Sequence, residues 1–313
     1  MTDNQSIESL IILGAGPAGL SAALYAARAE LSPLVFTGLQ IGGQAALTSS
    51  IENYPGFPQG IGGGDLGDLF QKQAERFGAR VEYDSVTGVD LSTRPFKIST
   101  YSNQYQAKAI IIATGASPVH LGVPGEEILT GQGVSYCATC DGWFFKEKEV
   151  VVVGGGDSAL EEAIHLTKFA TKVTIIHRRD AFRAGAILQT RARNNSKIVF
   201  LMDSIVKEIQ GEGKVNAVLV ENVKTGQVHE YGTDGVFVFI GHTPNTQMFR
   251  QYLDLDERGY IKVNMKMETS VDGVFACGEA ADPEYKQVVT SAGMGAAAAI
   301  QANRYLEKLE DNQ

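Results

Sequence analysis

An internal repeat constrains this chain more than any other feature. The run Leu10-Ile-Ile-Leu-Gly14-Ala-Gly16-Pro-Ala-Gly19-Leu20 returns as Val150-Val-Val-Val-Gly154-Gly-Gly156-Asp-Ser-Ala159-Leu160. Each copy opens on an unbroken aliphatic run, the pattern of a parallel strand buried on both faces. Each then turns on closely spaced glycines into small and apolar residues that suit a packed helix. In such a unit the first glycine permits the tight turn. The second lets a pyrophosphate approach the backbone, and the third lets helix and strand pack closely. Two copies predict an α/β chain of two Rossmann-like, three-layer domains, and 313 residues suit two domains.

The segments around the repeats suggest how the domains are threaded. Strands are expected at 80–83, 96–100 and 107–114, the last running into Gly115-Ala-Ser117-Pro118. After the second copy come candidates at 172–176, 198–202, 215–221 and 235–240, ending in Gly241-His-Thr-Pro-Asn245. A residue before proline is biased to extended backbone, so Ser117-Pro118 and Thr243-Pro244 are the natural crossings. The second unit is then inserted in the first: 1–117 with 247–313, and 118–246 between them. The run Gly60 to Gly64 is expected to be a short glycine loop.

The strand that follows each glycine turn discriminates the nucleotides. An acidic residue about 20 residues on receives a ribose 2′-hydroxyl, whereas arginine there accommodates a 2′-phosphate. The first copy ends at Phe36-Thr37-Gly38 and offers neither. The second ends in His177-Arg178-Arg179, with Arg183 one turn later. Guanidinium groups suit bidentate contact with phosphate. The second unit therefore reads as an NADPH site over Gly154, Gly156, Asp157, Ser158 and Ala159, with His177, Arg178, Arg179 and Arg183 as the basic cluster. A merely solvated basic surface is the competing reading.

Cys137-Ala-Thr-Cys140 stands just before the second repeat. A structural zinc site wants four ligands, usually from two such pairs, and no second pair exists. A static disulfide is disfavoured in a reducing cytosol. A redox-active dithiol fits, because cysteines three apart at a helix start can close a small ring. Asp141 can then shuttle a proton as a thiolate forms or leaves. NADPH delivers two electrons as hydride, and a flavin is the common carrier from hydride to disulfide. The unassigned first unit, over Gly14, Gly16, Pro17, Ala18 and Gly19, is where FAD is expected.

Composition excludes the other large classes. With 27 basic against 36 acidic residues the formal charge is −9, which argues against nucleic acid as partner. The first apolar run follows a polar start, Met1 to Ser9, without a basic n-region, so no signal peptide is read there. No stretch suits a membrane span, and three cysteines do not make a secreted scaffold. The expectation is a cytoplasmic protein without metal.

The motifs in this order resemble the low-molecular-weight thioredoxin reductases, within the class II pyridine nucleotide-disulfide oxidoreductases, over nearly the whole chain. The matching stretches are Gly14–Gly19, Gly42-Gly-Gln44, Glu52-Asn-Tyr-Pro-Gly-Phe57 and Ala113-Thr-Gly115. They continue with Cys137–Gly142, Gly154–Ala159, His177–Asp180 with Arg183-Ala184, and Gly241–Asn245. The resemblance implies a homodimer that reduces thioredoxin and whose inserted domain rotates. It also implies that Gly43, Gln44, Asn53, Thr114, Gly115, Gly278, Glu279, Lys286 and Gln287 border FAD. Two of these depart from the family pattern, which usually has aspartate at Glu279 and arginine at Lys286. Glutamate keeps the acceptor on a longer arm, and lysine keeps charge without the planar fork. Cys277, among apolar neighbours, reads as an inert core thiol, and His165 and His242 read as structural or positional. Other readings on the same scaffold are a ferredoxin-fed reductase, one serving a peroxiredoxin-type partner, a flavin-binding redox sensor, or a ferredoxin–NADP reductase.

Overall fold

The computed structural model describes residues 7–38, 40–48 and 50–311, so most of the polar start lies outside the described residues. The chain divides into two compact units, 1–117 with 243–313, and 118–242. The return crossing falls at residue 243, four residues before the expected position. There His242–Pro244 forms a short strand that pairs with Ala116–Pro118, the strand of the outgoing crossing.

In the first unit, strands β1 (Glu8–Leu13), β2 (Leu34–Phe36) and β3 (Arg80–Glu82) pair in parallel, and β4 (Val86–Asp90) and β5 (Phe96–Thr100) form an antiparallel hairpin. The long strand β6 (Gln104–Ile112) joins these two sets. Its first residues pair with β5, and residues 107–112 lie parallel to β1. Leu10 to Ile12 and Ile110 to Ile112 have no accessible surface. Complete burial of each such side chain stabilises the fold by about 1.5–3 kcal/mol, which explains why both runs are purely aliphatic. Helix α1 (Pro17–Arg28) covers one face with alanines, and α2 (Gly63–Arg76) follows the loop after β2. The expected loop at Gly60–Gly64 ends two residues earlier than expected: residues 60–62 lie outside the helix, and Gly63 and Gly64 open it. Gly63 is there because a Cβ would lie 1.9 Å from the Ala45 carbonyl oxygen.

The second unit contains a five-stranded parallel sheet in the order β11-β10-β9-β15-β8. After β7 (Ala116–Pro118), its strands are β8 (Val134–Ser135), β9 (Glu149–Gly154), β10 (Lys172–Ile176), β11 (Ile198–Leu201) and β15 (Gly235–Phe239). Three antiparallel strands form a separate sheet: β12 (Ser204–Gln210), β13 (Ala217–Asn222) and β14 (Val228–Gly232). Its helices are the single turn α3 (Ala138–Asp141), α4 (Asp157–Leu166) and α5 (Ala186–Arg193). Chain order β9–α4–β10 repeats β1–α1–β2, so the sequence repeat is a repeat of structure.

After β16 (His242–Pro244), the first unit is completed by β17 (Val274–Ala276) beside β6 and by helix α6 (Val288–Asp311). Helix α6 lies against α1 at backbone distance. A Cβ on Gly295 would fall 2.0 Å from the Ala18 carbonyl oxygen, and the Ser21 hydroxyl donates to the Ala292 carbonyl at 2.7 Å. Ala298 and Ala299 of the alanine run at 296–299 are buried in the same core cluster as the alanines of α1. No helix among the described residues is long and apolar enough to cross a membrane.

Candidate functional site

The three glycines of the first repeat are held for different reasons. Gly14 has φ +112°, and a Cβ there would lie 2.3 Å from the Ala113 carbonyl oxygen. A Cβ on Gly19 would lie 1.8 Å from the Gly14 oxygen. The fold itself demands glycine at both. Gly16 has an ordinary φ of −75°, and the nearest atom to an added Cβ is Gly43 Cα at 4.0 Å. Nothing in the chain forces glycine at position 16. The space in front of it opens onto the first N–H groups of α1, which have no partner within the helix. This is the geometry a pyrophosphate requires, so the residues fit a dinucleotide.

Residues expected to border the nucleotide are joined across distant parts of the sequence. Gly43, at φ +56°, brings the short helical segment Gly43–Leu47, which carries Gln44, against Gly16; its Cβ would stand 3.2 Å from Gly16 Cα. The Asn53 amide donates to Gln287 Oε1 at 3.1 Å. The Thr114 hydroxyl donates to the Asn245 carbonyl at 2.7 Å, and Gly115 accepts the Asn245 N–H at 2.9 Å. Gly278, at φ +62°, abuts the first turn of α1, where a Cβ would meet Ala18 Cβ at 2.7 Å. Glu279 follows it, and burial raises its carboxyl to about 7 despite the opposing Lys286 charge; Asp282 adds a smaller upward push. Because the folded state holds this proton more tightly, the contribution of Glu279 to stability is fully present below its ordinary value of 4.5 and is lost as pH rises through about 7.

The second repeat builds the same cradle in the inserted unit. A Cβ on Gly154 would lie 2.5 Å from the Phe239 carbonyl oxygen and 2.6 Å from Ala159 Cβ. Ala159 can therefore replace the third glycine only because Gly154 has no side chain. Gly156 again has an ordinary φ of −94°, with nothing nearer to an added Cβ than Arg183 Nη2 at 3.9 Å. Arg183 thus reaches the open side of the cradle. Its N–H donates to the Gly155 carbonyl at 2.8 Å, and Asp157 Oδ1 accepts the Gly185 N–H at 2.7 Å. Both bonds fix the loop that carries Arg183 to the start of α4.

The basic cluster divides in two. Arg178, Arg179 and Arg183 are exposed, and among the described residues none is ion-paired. His177 does not join them. Its ring is buried beneath the glycine turn, where a Cβ on Gly155 would come within 2.2 Å of it, and its Nε2 lies 3.1 Å from the Ala181 carbonyl oxygen. Burial lowers its pKa, so the imidazole is a neutral packing element.

Cys137 and Cys140 are joined as a disulfide, half-buried at the start of α3. Cys137 is the N-cap of that turn, and its Sγ accepts the Cys140 N–H at 3.1 Å. Asp141 follows Cys140 on the same turn, its Oδ2 accepting the Ser135 hydroxyl at 2.6 Å. Burial raises the Asp141 pKa, against the lowering effect of Ser135, so the carboxyl retains a proton to higher pH than an ordinary aspartate. Ser135 also accepts the Cys137 N–H at 3.1 Å. Sequence reasoning overlooked Ser135, since a serine before a cysteine carries no spacing signal. Trp143 is exposed, with Lys146 Nζ 5.4 Å from its ring centre. Cys277 has no accessible surface, and burial pushes its thiol up to about 12. It is the core thiol expected.

Comparison with known proteins agrees with this inventory. The family model for pyridine nucleotide-disulphide oxidoreductases matches residues 8–295. A thioredoxin reductase of Mycolicibacterium smegmatis is 50% identical over 307 residues, covering 98% of this chain and 99% of that protein. A bifunctional thioredoxin reductase/thioredoxin of Mycobacterium leprae is 47% identical, over 97% of this chain and 67% of the longer relative. The crystal structure of thioredoxin reductase from Streptococcus pyogenes is similar with a TM-score of 0.93 at 46% identity, covering 97% and 100% of the two chains. With two glycine cradles and a vicinal cysteine pair in place, the chain belongs to the pyridine nucleotide-disulphide oxidoreductase family.

Proposed function

We propose that this oxidoreductase is an NADPH-dependent, FAD-containing thioredoxin reductase. The unit 1–117 with 243–313 binds FAD, and the inserted unit binds NADPH and carries the exchanging disulfide. The observation that carries the proposal is the Cys137–Cys140 disulfide in the same compact unit as a second cradle flanked by three exposed arginines. Thioredoxin as acceptor is supported by relatives of that name, and by the Mycobacterium leprae relative whose name joins reductase and thioredoxin in one chain. The proposal extends to a homodimer in the cytoplasm, supported by the family resemblance and by the sparse cysteines.

When bound, the nicotinamide supplies hydride and the flavin carries two electrons to a disulfide. The chain's own residues hold and time the protons. Reduction of the pair releases one thiolate, and Asp141, protonated more readily than usual, is the nearby donor. The Cys140 N–H already points at Cys137 Sγ, and the same donor favours a thiolate there once the S–S bond breaks. Ser135 keeps Asp141 in place. Arg178, Arg179 and Arg183 form a donor set for a 2′-phosphate, and Asn53 with Gln287 closes the rim of the FAD cradle.

The middle glycines test the two cradles separately. Gly16→Ala is expected to leave the folded apo-protein within about 1 kcal/mol of wild type, because the added methyl meets nothing in the chain. The same variant should bind FAD at least about tenfold more weakly, as measured by quenching of flavin fluorescence. Gly156→Ala should keep FAD and raise the KM for NADPH by a similar factor. Unchanged FAD affinity in Gly16→Ala would show that the pyrophosphate lies elsewhere.

A further inference from the structure

A chain of three side chains that the proposed chemistry does not use grips the segment leading into Cys137. Glu126 is buried, its side chain 4% exposed. Its Oε1 accepts the Leu121 N–H and the Tyr136 hydroxyl, both at 2.9 Å, and its Oε2 accepts the Gly122 N–H at 2.8 Å. His120 Nδ1 lies 2.8 Å from the Tyr136 hydroxyl oxygen. A phenol has one proton, and Glu126 receives it, so the contact with His120 requires Nδ1–H to donate to the phenol oxygen. Burial, and then the Glu126 carboxylate, push the phenol well above its ordinary value, so the proton stays on Tyr136. The sequence of donors is His120 Nδ1–H to Tyr136, then Tyr136 O–H to Glu126. All three residues lie in the inserted unit.

Position makes this network relevant to the dithiol. Tyr136 is bonded directly to Cys137, and Ser135 on its other side is tied to Asp141. The Ser135–Asp141 and Tyr136–Glu126 bonds therefore anchor the two consecutive residues that lead into Cys137. A carboxylate with three donors in a buried turn is a rigid anchor, because moving it would leave two backbone N–H groups unpaired.

We propose that Tyr136, locked between Glu126 and His120, is a positioning residue for Cys137 that raises the effective concentration of the two thiols toward each other. The inference rests on reading Cys137 and Cys140 as the exchanging pair. In the exchange a small-molecule dithiol loses two electrons and two protons and closes its own disulfide, while the Cys137–Cys140 bond breaks and both sulfurs become thiols. The reverse, ring closure on the protein, depends on how narrowly the fold confines the two sulfurs.

The test uses Tyr136→Phe, which keeps the ring and deletes the hydroxyl. Wild type and variant are equilibrated with mixtures of reduced and oxidised dithiothreitol without nicotinamide, alkylated, and scored for the disulfide by mass spectrometry. The equilibrium constant for ring closure is expected to fall about fivefold in the variant, equivalent to about 20 mV at 29.6 mV per tenfold change. Glu126→Gln keeps one carbonyl acceptor for the Tyr136 hydroxyl and removes the charge, so it should lower the constant in the same direction by a smaller factor. Val218→Ala, in the core of the same unit, lowers thermal stability and should leave the equilibrium within twofold of wild type. An unchanged equilibrium in Tyr136→Phe, or an equal shift in Val218→Ala, overturns the proposal while the dithiol reading stands. Failure of the wild-type pair to exchange at all overturns both.

Discussion

Replacing either Cys137 or Cys140 with serine is expected to lower disulfide turnover on the order of 10³-fold or more, as removal of a reacting nucleophile does, while bound flavin is retained. The expectation follows from where the sulfurs are. They are bonded to each other, half-buried, with a backbone donor on Cys137 Sγ and a readily protonated carboxyl on the same turn. The remaining cysteine cannot take over. Cys277 is sealed in the core beneath α1 and α6, and burial pushes its thiol up to about 12, so it stays protonated at neutral pH. Flavin should stay because the first cradle and the cysteine pair belong to different compact units, so the substitution leaves the cradle's own packing intact. Steady-state reduction of thioredoxin, beside the visible spectrum of each variant, checks both halves. Retained turnover in either serine variant would move the exchange to other atoms.

The second large effect concerns the choice between nicotinamides. The double substitution Arg178→Ala with Arg179→Ala should lower kcat/KM for NADPH on the order of 100-fold or more, and leave kcat/KM for NADH within about threefold. Each hydrogen bond between charged groups contributes about 1.5–3 kcal/mol, and every 1.36 kcal/mol is tenfold in rate. Arg183→Ala should act in the same direction, since its guanidinium reaches the open side of Gly156. His177→Ala separates phosphate recognition from packing. Its ring fills the space under Gly155 and bonds to Ala181, so its loss should cost about 1–3 kcal/mol of stability without changing the preference between nicotinamides. Equal loss with both nicotinamides in the arginine variant would sink the 2′-phosphate assignment.

Much of this is legible in the amino-acid sequence. The two aliphatic runs with their glycine turns announced β1–α1 and β9–α4, because a strand buried on both faces leaves no polar position to blur the pattern. The strands Phe96–Thr100 and Lys172–Ile176 fell where alternation and β-branching placed them. Helix α2 was missed because its first residues, Gly63 and Gly64, read as a loop; glycine stands there for close packing against Ala45, a long-range demand that local pattern cannot carry. Strands β4, β12 and β14 were missed as well. Strand β14 has mostly exposed residues, so pairing with β13 and not burial defines it. At the site, glycines and cysteines were readable because their chemistry is tied to spacing. The roles of His177, Ser135 and Glu126 were not, since whether a polar side chain faces ligand, backbone or core depends on which segment folds over it.

The most direct test of the account is reduction of a thioredoxin by the purified protein, followed with NADPH and with NADH beside its visible spectrum. The account predicts a yellow protein with flavin absorption bands, catalytic reduction of the thioredoxin disulfide by NADPH, and much slower reduction by NADH. A colourless protein, or one that transfers electrons from NADPH to no thioredoxin, would contradict it.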